Sequence, residues 1–122
     1  MRYKNPIERI FKASIYSISG LYTAIKNEQA FRFELIIFLA VCFFSCVSSL
    51  KITRIIALIC AWLVVMAFEL VNSAVERAFD LIDKNYNLEI KAGKDMLSAA
   101  VFLTIFANII LWLFVFYEKF FN

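Results

Sequence analysis

Three stretches of this chain carry no charged side chain, and they limit the fold more than any other feature: residues 35–50, 55–68 and 96–117. A helix needs about 20 mostly apolar residues to cross the hydrocarbon of a bilayer, with about 17 as the lower limit. The third stretch meets that length alone. The first meets it with Phe31 and Phe33 at its start, and the second by continuing through Val75 with Glu69 inside the membrane. Fourteen Phe against two Gly and one Pro suit long lipid-facing helices better than a sheet with many turns. The expectation is an all-α membrane protein of one domain, residues 1–122, with spans at about 31–50, 55–76 and 96–117.

The first 26 residues follow another pattern. Ile7, Ile10, Phe11, Ile15, Ile18, Leu21, Tyr22 and Ile25 recur at helical spacing, with Arg9, Lys12, Ser17 and Ser19 on other faces. Pro6 stands where a first helical turn tolerates it. An amphipathic helix at about 6–28 is therefore expected, lying in the membrane interface with its cations near anionic headgroups; a plain anchor is the alternative. The segment is broken by charges and lacks a compact apolar core, so it is expected to stay in the mature fold rather than be cleaved as a signal peptide.

Charge sets the orientation. With three spans, the N-terminus and the link between the second and third spans share one side. That side carries Arg2, Lys4, Arg9, Lys12, Lys26, Arg32, Arg77, Lys84, Lys91 and Lys94, ten of the 13 basic residues. Lys51, Arg54 and Lys119 fall opposite. The excess places the N-terminus in the cytoplasm and the C-terminus outside, in an inner membrane. A net charge of +3 from 13 basic and 10 acidic residues is too balanced for a nucleic-acid partner.

The absence of histidine rules out serine–histidine and cysteine–histidine mechanisms. Cys42, Cys46 and Cys60 lie in apolar runs without a CxxC, and read as small apolar residues rather than zinc ligands or a disulfide framework. No phosphate-binding glycine loop or soluble-kinase signature is present. Carboxylates and a lysine remain. Glu69, Asn72, Glu76 and Asp80 are spaced three, four and four apart, so they share one helical face, with Ser73 beside them. Glu69 lies about 10 Å deeper than Glu76, at about 1.5 Å per residue. A carboxylate at the bilayer centre costs about 2.5–3.5 kcal/mol on insertion scales, which marks it as functional by default; a polar contact between helices is the alternative.

Gly93 precedes Lys94, Asp95 and Ser98, and a helix starting there would present a permissive backbone, an N-terminus and an ammonium to a phosphate. A lysine snorkelling to headgroups is the other reading. Glu28 and Arg32, four apart, suit an intrahelical ion pair, yet Glu28 and Glu34 near the level of Glu76 would also suit magnesium, which takes oxygen ligands.

Three motifs carry a resemblance: NEQAFRFE from Asn27 to Glu34, ELVNSAVE from Glu69 to Glu76, and GKDMLSAAV from Gly93 to Val101. With them the chain resembles the prokaryotic diacylglycerol kinases, from Arg9 to Trp112. The resemblance implies an N-terminal surface helix, three spans and a homotrimer with active sites shared between subunits. It implies phosphorylation of diacylglycerol to phosphatidic acid, with ATP as co-substrate and magnesium as cofactor. By the same resemblance Glu69 is the base, supported by Asn72, and Glu28 and Glu76 hold the metal. Arg9, Tyr16, Asn85, Tyr86, Asn87, Lys94 and Asp95, with Glu28 and Glu76, fall at nucleotide positions. Arg9, Ala30, Phe31, Arg32, Phe33, Glu34, Glu69, Ser98 and Trp112 fall at lipid positions. Ile18 and Tyr22 stand where better-known members carry tryptophan and arginine, and the outer loop at 48–54 is one residue shorter, which leaves Arg54 a weak candidate. Undecaprenol kinase, the same chemistry on a polyprenyl alcohol, is the nearest alternative; a non-catalytic membrane assembly protein is the alternative of another class.

Overall fold

The computed structural model describes residues 5–122; Arg2 and Lys4 of the basic count lie outside the described residues. Four helices follow in order: α1 Pro6–Asn27, α2 Gln29–Val47, α3 Ile52–Ile82 and α4 Leu88–Phe121. No strand occurs among the described residues. α2, α3 and α4 are long and apolar enough to cross a membrane. α3 is central, packed by α2 on one side and α4 on the other, and α1 packs against α2.

Local chemistry sets the ends of α1. The Asn5 side chain accepts a hydrogen bond from the Ile7 amide at 3.1 Å and Pro6, which has no N–H, fills the first turn, so two of the N-terminal positions need no further acceptor. At the other end Glu28 turns extended (φ −107°, ψ 111°), and the Arg32 guanidinium reaches back to the carbonyls of Ile25 and Lys26 at 3.1 and 3.0 Å. Those are carbonyls that a helix C-terminus leaves unpaired, so Arg32 closes α1 from the first turn of α2. The apolar face expected from Ile7 to Ile25 remains exposed in the single chain, and only Ala24 of α1 is buried.

The core is narrow. Phe31, Val41, Leu58, Trp62, Val65, Met66 and Val115 bury one another along the axis of α3, while most of the apolar surface of α2 and α4 faces outward. A helix apolar all round belongs in lipid or against further subunits. Polar groups fix the register inside this core. The Trp62 indole donates to the Glu34 carbonyl at 2.9 Å, and the Asn108 amide donates to the Ala61 and Thr104 carbonyls, both at 3.0 Å. At one end of the bundle Arg54 pairs with Glu118 at 2.6 Å and the Lys119 ammonium donates to the Ser48 carbonyl. Arg54 therefore has a local structural partner.

Two expectations are corrected. α4 does not begin at Lys94: it starts at Leu88, where the Asn87 side chain accepts from the amides of Glu89 and Ile90, at 2.9 and 3.3 Å. Lys94 and Ser98 are thus mid-helix and no helix N-terminus is offered to a phosphate there. Gly93 is needed for closeness, not freedom: a Cβ at this position would stand 2.8 Å from the far edge of the Phe79 ring on α3. Both helices run past the uncharged stretches, and their charged turns meet where Lys94 of α4 pairs with Asp80 of α3 at 2.7 Å.

Candidate active site

α3 presents the polar stripe as its spacing requires. Glu69 is buried (6% exposed), Asn72 and Glu76 are half-buried and Asp80 is exposed, so the stripe climbs from the core of the bundle to its charged end. Asn72 and Ser73, three and four residues further along α3, stand beside the Glu69 carboxyl. Glu34 on α2 is buried too, with Oε2 lacking a hydrogen-bond partner, and Asn72 Oδ1 is in the same state. A buried carboxyl oxygen and a buried amide oxygen without donors cost stability. They remain available as acceptors for a hydroxyl or a water brought to the stripe.

Glu28 occupies the single extended residue between α1 and α2, which turns its carboxylate toward α3. It does not pair with Arg32, which is spent on α1. Instead Glu28 Oε1 accepts from Arg77 Nη2 at 2.6 Å and from Arg77 Nε at 3.1 Å. A groove of about 670 Å³ opens beside this pair, between α1 and α3. Tyr16, Ser17, Gly20, Glu28, Ser73 and Arg77 are among its lining residues. Tyr16 and Glu28 were expected at a nucleotide site; Ser73 and Arg77 were not. Ser73 was visible in the sequence beside the stripe. Arg77 was counted only for its charge, since nothing in the sequence connects residues 28 and 77.

The remaining candidates divide by place. At the charged end of the bundle Lys94 is held by Asp80 of α3, and Asp95 by Lys91 one turn earlier on α4. Asn85, Tyr86 and Asn87 form the exposed link from α3, where the Asn85 amide donates to Asp83 Oδ1. Arg9 is exposed in the early turns of α1. Of the expected lipid positions, Phe31 and Glu34 are buried against the core, Trp112 is half-buried, and Ala30, Arg32, Phe33 and Ser98 are exposed. A single chain does not gather all of these into one pocket.

For magnesium, the expected ligands Glu28 and Glu76 carry carboxylate oxygens of the kind that ion takes. Among the described residues no three of His, Cys, Asp and Glu stand close enough to hold a metal by themselves. The donor set fits an ion that takes one or two carboxylates and completes its shell with phosphates and water, and does not fit a closed protein cage.

A sequence model of the prokaryotic diacylglycerol kinases matches residues 15–116, which include the groove, the α3 stripe and most of α4. The chain belongs to the prokaryotic diacylglycerol kinase family. It is similar to a diacylglycerol kinase of Escherichia coli strain K12, 38% identical over 104 residues and covering 85% of each chain. A diacylglycerol kinase of Haemophilus influenzae is 36% identical over 114 residues, covering 87% of this chain and 90% of the relative. An undecaprenol kinase of Bacillus subtilis is more distant, 26% identical over 124 residues and covering 96% and 95%. The buried carboxylate, its amide neighbour and the Glu28 turn all fall inside the matched region.

Proposed function

We propose that this protein is an ATP-dependent diacylglycerol kinase that makes phosphatidic acid at the cytoplasmic face of an inner membrane. The observation that carries this reading is the graded stripe on α3: a carboxylate buried at Glu69 and another near the surface at Glu76, on one helical face. A lipid hydroxyl reaches the stripe from the bilayer and a triphosphate reaches it from water, and the two substrates meet along the helix. Glu69 takes the proton of the lipid hydroxyl as that oxygen attacks the γ-phosphorus, and Asn72 keeps the carboxylate oriented. ADP leaves from the charged end.

Glu28 and Glu76 would hold the magnesium that neutralises phosphate charge when the nucleotide is bound. Lys94 with its neighbour Asp95, the Asn85–Tyr86–Asn87 link, and Arg9 and Tyr16 of the surface helix surround the nucleotide in this reading. Glu69, Ala30, Phe31, Arg32, Phe33, Glu34, Ser98 and Trp112, with Arg9, surround the lipid. Most of these residues lie on faces that one chain leaves open, Phe31, Glu34 and Glu69 being buried, and α4 keeps most of its apolar surface uncovered. A homotrimer with shared sites accounts for both facts. The ten-to-three basic asymmetry supports a cytoplasmic N-terminus.

The similarity to an undecaprenol kinase over nearly the whole chain supports a second reading in which the acceptor is a polyprenyl alcohol. Purified protein in mixed micelles, given labelled ATP with diacylglycerol and undecaprenol in parallel, decides between them. Label transferred to diacylglycerol at the higher kcat/KM is the expected result. Preferential transfer to undecaprenol selects the second reading, and transfer to neither acceptor refutes the kinase.

A further inference from the structure

Arg77 is the charged residue of the groove that no role above uses. It follows Glu76 directly and lies one turn beyond Ser73, so it borders the polar stripe while facing α1. Its guanidinium places two donors on a single oxygen of Glu28, across 49 residues of sequence. The other oxygen of Glu28 has no part in that pair. Both side chains line the same groove as Tyr16, and Arg77 is half exposed there (52%), within reach of a ligand.

This arrangement conflicts with a metal ion arriving at Glu28 unless Arg77 gains an anionic partner. A divalent cation and a guanidinium on one carboxylate repel each other, whereas a guanidinium and an anion a few ångströms apart attract. The triphosphate that accompanies the metal supplies that partner. A planar guanidinium with several donors matches phosphate oxygens in pairs, which an ammonium does not. Three other cations have partners of their own: Lys94 on Asp80, Lys91 on Asp95 and Arg32 on the end of α1.

We propose that Arg77 is a nucleotide-binding residue, a phosphate ligand that Glu28 holds in readiness and releases when metal and nucleotide enter together. The assignment rests on the kinase reading and adds a residue to its nucleotide site. It requires a short movement only, since the guanidinium already stands at the mouth of the groove.

The test uses the full-length protein in detergent, with two binding measurements and no turnover. The first is ATP affinity in the presence of magnesium, by calorimetry, for wild type, Arg77→Ala and Arg77→Lys. The second is binding of manganese alone, by electron paramagnetic resonance, without nucleotide. Loss of a charged hydrogen-bonding pair to phosphate weakens binding about 10- to 100-fold, so Arg77→Ala loses that much ATP affinity and Arg77→Lys recovers only part of it. Manganese alone binds Arg77→Ala at least as well as wild type, because Glu28 has lost its competitor. An ATP affinity in Arg77→Ala within twofold of wild type overturns the assignment. So does an equal loss of manganese binding, which would mean that the pair only builds the Glu28 turn. Wild-type protein that binds no ATP at all removes the kinase reading, and this assignment with it.

Discussion

Replacing Glu69 by Gln separates a catalytic carboxylate from a packing one. The side chain is only 6% exposed and has Asn72 and Ser73 one turn along α3, so an amide of the same shape meets the same neighbours. What it loses is the ability to accept a proton. General-base catalysis contributes about 100- to 10,000-fold, which corresponds to roughly 2.7–5.4 kcal/mol of barrier at about 1.36 kcal/mol per decade. Packing changes in the opposite direction. A carboxylate at this depth costs about 2.5–3.5 kcal/mol when charged, and the neutral amide avoids that cost. Glu69→Gln is therefore expected to transfer phosphate at least 100-fold more slowly while melting at or above the wild-type temperature and binding ATP normally. Label transfer to diacylglycerol, ATP calorimetry and oligomer mass should be measured on one preparation. More than a tenth of wild-type activity in the variant refutes the base. A shifted oligomer mass with the activity per assembled particle preserved assigns Glu69 to packing.

Three further outcomes are expected. Glu76→Gln raises the magnesium concentration needed for half-maximal activity by about tenfold or more, in keeping with the loss of one of very few carboxylate ligands, and leaves assembly intact; an unchanged magnesium curve in both Glu76→Gln and Glu28→Gln removes the metal assignment. Asn108→Ala loses the bonds to the Ala61 and Thr104 carbonyls and destabilises the bundle by about 0.6–1.7 kcal/mol, partly offset by removal of the buried Oδ1 that has no partner; equilibrium unfolding in mixed micelles measures it, and no loss refutes the register role. A single reporter cysteine at position 84, in a cysteine-free background, resists an impermeant reagent added outside intact cells, whereas one at position 51 reacts; the reverse pattern inverts the orientation.

The sequence announces the helices where one physical rule dominates. Uncharged runs long enough to span a bilayer locate α2, α3 and α4, and Asn5–Pro6 marks the start of α1. The polar stripe of α3 follows from helical periodicity alone. What the sequence hides depends on choices between partners. Arg32 could meet Glu28 or the open carbonyls of α1, and only the turn at Glu28 makes the second nearer. α4 begins six residues before Lys94 because Asn87 caps it and because Lys94 finds Asp80 across the link, a contact no local pattern contains. Gly93 suggests a loop until Phe79 is seen against it. The nucleotide positions expected on α1, the link and α4 come from resemblance alone, and a single chain does not bring them together.

The depth difference between Glu69 and Glu76 has a kinetic meaning. α3 has 31 residues, about 46 Å at 1.5 Å per residue, against a hydrocarbon thickness of about 30 Å, so it overhangs the lipid and joins two phases. One reactant arrives by lateral diffusion and its product departs the same way, without crossing into water. The velocity then answers to the surface mole fraction of the alcohol and to the bulk concentration of the nucleotide, two independent axes. Diluting the acceptor with inert lipid slows the reaction at constant total amount, while diluting the whole suspension at fixed nucleotide leaves the rate per enzyme unchanged.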